Sequence, residues 1–141
     1  MNDWKNYGRW RHPEYFQKVA LENQKKIAAV FTELLETEKN LESDVVAKGW
    51  IHRNALISHV YSNYEKDQEL LARKKDWEDA MIFRNILSGL IKIIRPYRDL
   101  YGYFPNYEQM IAELDDLYNA AINREEYEIA KVIHLWLTKI K

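Results

Sequence analysis

Hydrophobic positions recur at helical spacing along almost the whole chain, and no stretch alternates apolar and polar residues over a useful length. From Phe16, apolar or small residues step by four and three through Ala20, Asn23, Ile27, Val30, Leu34, Thr37 and Leu41. That heptad seam predicts a long helix opened by Pro13, where a missing N–H costs nothing. Asn23 reads either as a register-fixing residue of a dimer seam or as the edge of an intramolecular face. Ser43, followed by Asp44, has the chemistry of an N-cap, so a second helix is expected to start there. Its seam runs Val46, Trp50, Arg53, Ile57, Val60, Tyr64, Asp67 and Leu71, broadened by Ile51, Leu56 and Tyr61. Gly49, costly inside a helix, implies close approach of another backbone beside Trp50.

After Arg73-Lys74-Lys75, Asp76 is the expected cap of a third helix, WEDAMIFRNILSGLIKIIRPYRDLY. That helix is apolar over most of its circumference and is the expected centre of the core, with Pro96 ending or kinking it near Ile94. Gly102 and Pro105 mark a loop, Asn106 caps a fourth helix, and Asn123 with Glu126 three residues on caps a fifth. The pattern therefore predicts an all-α bundle of about five helices, two long ones first and a helical hairpin last. Residues 1–12 form an aromatic and basic arm, 13–101 the long-helix bundle and 107–141 the hairpin.

Composition narrows the function more than the fold. The 141 residues include only 4 Gly and 3 Pro, against about 12% for the two together in ordinary chains. No Gly-rich phosphate cradle or dinucleotide fingerprint occurs. Hydrophobic residues at 47% and aromatics at 13% can offset the entropy of ordering. Zero cysteines exclude disulfides, thiolate nucleophiles and cysteine-ligated metals. The opening residues contain no apolar signal core and no run approaches the length of a membrane span, so a cytoplasmic protein away from membranes is expected.

Catalytic and metal sets are missing from the pattern. Of the four histidines, His52 and His59 lie two turns apart, off the seam, and read as solvated surface residues; His134 reads as a core-edge residue. The serines sit in no nucleophile elbow, and the carboxylate pairs Asp115/Asp116 and Glu125/Glu126 are adjacent, so helical geometry points their side chains about 100° apart. No enzymatic activity, cofactor or metal is expected.

A shift of 50 residues lays Lys74–Ala80 on Arg124–Ala130, with Leu87 on Leu137 and Leu90 on Ile140. In the second copy, Leu114, Ala121, Tyr127, Glu128, Ala130 and Leu137 resemble the UVR motif, the helical hairpin of the B and C subunits of the bacterial excision-repair nuclease. The resemblance covers 113–140, and through Trp77, Glu78, Ala80 and Arg84 it extends to 64–90. His134 and Leu135 stand where that family has an Arg-Asp pair. What the resemblance implies is a protein–protein docking hairpin.

Two segments interleave rings with cations. The first carries Trp4, Tyr7, Arg9, Trp10 and Arg11, the second Arg95, Tyr97, Arg98, Tyr101, Tyr103 and Phe104. Trp, Tyr and Arg dominate protein interfaces, and aromatics beside cations also stack on single-stranded bases. With Lys plus Arg at 21 and Asp plus Glu at 22, the chain lacks the basic excess of a phosphate binder and the repulsion that would keep copies apart. The expected function is a small protein–protein interaction protein (an adaptor, regulator or inhibitor) that also self-associates. The alternative is a nucleic-acid-associated accessory protein using the same two segments.

Overall fold

Between Pro13 and Gly49 no glycine or proline interrupts the chain, and one helix runs unbroken through it. In the computed structural model, which describes residues 13–141 and side chains from residue 21 on, α1 spans Pro13–Tyr61, 49 residues or about 74 Å. The break expected at Ser43 does not occur. Ser43 and Asp44 sit in mid-helix, where Asp44 forms an i,i+4 ion pair with Lys48 at 3.1 Å. A cap-type residue ends nothing when the seam continues on both sides of it, and here the seam goes on through Leu41 and Val45.

The chain turns at residues 62–66 instead. The N–H of Tyr64 donates to the His59 carbonyl at 2.8 Å and that of Asn63 to the Val60 carbonyl at 3.2 Å, the paired bonds of a Schellman cap. Asn63 and Tyr64 occupy the left-handed region at φ 61° and 64°, which Asn tolerates better than most residues. Helix α2, Asp67–Ile94, therefore starts nine residues before the expected cap at Asp76, which lies within the helix 3.8 Å from Arg73. Pro96 does end it: a short 3-10 turn, Arg95–Tyr97, follows Ile94.

Helix α3, Tyr107–Asn123, and α4, Tyr127–Ile140, form the hairpin. Asn123 is the last residue of α3 rather than a cap of α4. Another Schellman cap closes α3, with Glu125 at φ 60° and Glu126 N–H on the Ala121 carbonyl at 2.9 Å. The described residues thus hold four α-helices and no strand. The architecture is all-α, with one very long helix where two were expected.

The core gathers at one end of the α1–α2 pair. Ile27, Phe31 and Leu34 of α1 meet Leu87, Leu90 and Ile94 of α2, Met110 and Leu114 of α3, and Ile133, Trp136 and Leu137 of α4. Beyond it, between residues 45 and 79, Val45 and His59 are the buried residues. That stretch is a two-helix arm, held largely by α1 and α2 packing on each other.

Candidate functional site

The loop after α2 contains the described half of the expected contact residues, and Asp99 organises it. One Asp99 carboxylate oxygen accepts the N–H groups of Tyr101 and Tyr103, each at 2.9 Å, and the Asp99 N–H donates to the Tyr103 carbonyl at 2.8 Å. This aspartate-built turn needs a positive φ at Gly102, 84°. It pushes Leu100 and Tyr101 outward, 99% and 83% exposed, with Tyr103 exposed beside them. Arg98 folds back so that its guanidinium carbon lies 5.7 Å from the Phe31 ring centroid. Arg95 is exposed, and Tyr97 is half-buried with its hydroxyl donating to the Glu113 carboxylate. That hydrogen bond raises the Tyr97 pKa above the ordinary 10.0, helped by burial and by the carboxylate's charge.

Phe104 does not join them. It is fully buried, edge-on to Phe31 with centroids 5.9 Å apart, and its backbone is clamped by Gln24. The Gln24 amide donates to the Phe104 carbonyl at 2.9 Å, and the Phe104 N–H donates to the Gln24 oxygen at 2.5 Å. It is a core residue that closes the loop onto α1, not a contact residue. Leu100, which sequence reasoning passed over, takes its place at the tip; the signal was its position directly after the turn-forming Asp99. Trp4, Tyr7, Arg9, Trp10 and Arg11 lie outside the described residues.

The arm carries a second surface, because α1 has two heptad seams one residue apart. The inward seam continues the core positions through Val45, Lys48, His52, Ala55 and His59, buried or half-buried against α2. Its residues are small or polar, and the packing depends on their shapes. His52 stacks on Trp77, centroids 5.1 Å apart and planes 15° from parallel. A Cβ at Gly49 would lie 3.2 Å from the Trp77 indole nitrogen, so the glycine admits a side chain of α2 rather than a backbone. His59 is buried, not solvated. Its Nδ1 accepts the Lys66 N–H at 3.1 Å and its Nε2 stands 3.0 Å from Asp67, which locks the turn.

The outward seam is the one the sequence pattern made prominent: Val46, Trp50, Arg53, Ile57 and Val60. It faces away from α2. Val46 is 58% exposed, Trp50 57% and Ile57 45%, with Val60 and Tyr61 also exposed. Arg53, the one charged residue on this stripe, lies with its guanidinium carbon 5.3 Å from the Trp50 ring centroid. Exposed apolar side chains thus recur along one face of this surface helix, with Arg53 among them.

Elsewhere the geometry is plain. A shallow groove between α2 and α4 is lined by Phe83, Val132, Leu135 and Thr138 with Glu128 and Lys131 on its rim. Among the described residues no three His, Asp or Glu side chains stand together as a metal ion would require, and no helix is long and apolar enough to cross a membrane. Of the residues that carry the UVR-like pattern, Leu114, Ala121, Ala130 and Leu137 are buried in the core, while Tyr127 and Glu128 are exposed. Comparison of the chain with protein-family models, with curated proteins and with solved structures gives no match.

Proposed function

We propose that this chain is a small non-catalytic protein–protein interaction protein, an adaptor, regulator or inhibitor, that works through the outward face of its arm and the tip of its aromatic loop. The observation that carries the reading is the outward seam: Val46, Trp50, Ile57 and Val60 lie exposed at heptad spacing while the opposite seam of the same helix is made of small and polar residues. A heptad row of apolar side chains is the face one helix offers another. The Leu100–Tyr101 tip supports it, since a turn held by three hydrogen bonds to Asp99 and Tyr103 presents two large side chains at low entropic cost on binding. The UVR-like pattern of the α3–α4 hairpin supports the same class of function, docking rather than chemistry.

The test is quantitative capture from the cells of origin with tagged wild type, with Leu100→Ala/Tyr101→Ala, and with Trp50→Ala/Ile57→Asp. Each variant alters surface residues, so the fold and expression should hold. Loss of one or more specific proteins from either variant is the expected result. An identical set of captured proteins from all three would contradict the reading.

A further inference from the structure

Resting on the reading of the outward seam as an interface, we propose that its occupant is a second copy of this chain, the two α1 arms lying antiparallel about a two-fold axis that crosses between Ile51 and His52. Antiparallel helices pair a residue early in one seam with a residue late in the other, and this seam is complementary to itself in that register. Val46 meets Ile57 of the second copy, Ser43 meets Val60, and Trp50 meets Arg53. The last pair repeats between chains the cation–ring contact already present within one chain, where 5.3 Å separates guanidinium carbon and ring centroid. Each layer sets a larger group against a smaller or complementary one, as knobs-into-holes packing requires.

The parallel alternative stacks each residue on its own copy and sets Arg53 against Arg53 in one layer, whereas the antiparallel register offsets the two cations by about 4.5 Å along the axis and gives each the Trp50 ring of the other copy. The antiparallel arrangement also places the two cores at opposite ends of the joined arms. Area agrees. Val46, Trp50, Ile57, Val60 and Tyr61 are each 45–87% exposed, so two such faces together offer at most about 1,200 Å², the lower end of the range of specific interfaces. A polyanion is not matched by this face, whose one cation, Arg53, stands among apolar side chains. The chain's net charge of −1 sets no barrier to self-pairing.

Zero cysteines in the chain make the register directly testable. Val46 and Ile57 of one chain are eleven residues apart, about 16 Å along the helix, too far for a disulfide within a chain. The Val46→Cys/Ile57→Cys variant should therefore oxidise to a covalent dimer, while Val46→Cys alone should not. Wild type at ~100 µM, above the micromolar constants common for interfaces of this size, should sediment with twice the mass of one chain. Trp50→Ala/Ile57→Asp should sediment as one chain with unchanged helical circular dichroism. A wild-type mass of one chain overturns the proposal, and a ready covalent dimer from Val46→Cys alone overturns the antiparallel register. Neither result touches the capture assay of the loop-tip variant, so loss of the dimer and loss of the interaction reading are separable.

Discussion

Replacing Phe104 by Ala tests most sharply the division between core and contact surface within the aromatic loop. The ring is fully buried and edge-on to Phe31, in a pocket closed by the Gln24 clamp. Truncation removes the six ring carbons, keeps the Cβ as a methyl and leaves a cavity, for which Phe→Ala changes cost about 3–5 kcal/mol. The Gln24 bonds reach backbone atoms, so they survive the substitution and limit collapse of the loop into the void. With a urea dependence of about 2 kcal/mol per molar, the midpoint should fall by about 2 M at constant slope. Tyr101→Ala, three residues earlier at the exposed tip, should move stability by no more than about 0.5 kcal/mol. Urea titration followed by far-ultraviolet circular dichroism reads both. A Phe104→Ala midpoint within about 0.5 M of wild type would refute the placement of this ring in the core.

Gly49→Leu should cost about 1–3 kcal/mol, because the side chain must displace the Trp77 indole that a Cβ alone would meet at 3.2 Å; the loss should appear in thermal denaturation and as altered tryptophan fluorescence. Glu125→Gly should raise stability by about 0.5–1 kcal/mol, since the left-handed φ of 60° strains any residue with a Cβ; a lowered denaturation midpoint would contradict this. The Tyr97 phenol, held neutral by its bond to Glu113, should ionise above the ordinary tyrosine value, and Glu113→Gln should bring it back toward 10.0. Because the folded pKa is raised, that stabilising bond is intact below the unfolded value and is lost as pH rises through the folded one. The difference in phenolate absorbance between wild type and Tyr97→Phe measures it.

Helical class, the stop at Pro96 and the loop after it were legible in the residues, because missing alternation and a proline in a helix each have few readings. Helix junctions were less so. Ser43-Asp44 looks like a start and is not one, whereas the true turn at 62–66 is closed by Asn63 in a Schellman cap without glycine, and Glu125 repeats the device after α3. Asn63 is a weaker helix-end signal than glycine, and Glu125 carries none. The two seams of α1 illustrate a deeper ambiguity. Periodicity shows that Val46, Trp50, Ile57 and Val60 share a face but does not say what the face meets. The richer seam is the conspicuous one in the sequence, yet the inward seam is set by a fit between Gly49, His52 and Trp77, which depends on shape across 28 residues of sequence separation. Phe104 was misread for the opposite reason: loops lie on the surface as a rule, and this one is drawn inward by Gln24, 80 residues away.

Amide hydrogen exchange across residues 45–61, measured as a function of protein concentration, tests the central claim most directly. An arm with so few buried residues opens easily when alone, so its amides should exchange rapidly in dilute solution and slow markedly at high concentration as the outward seams pair, while the amides around Leu34, Leu87 and Leu114 stay equally protected throughout. Exchange in the arm that is independent of concentration would contradict the account.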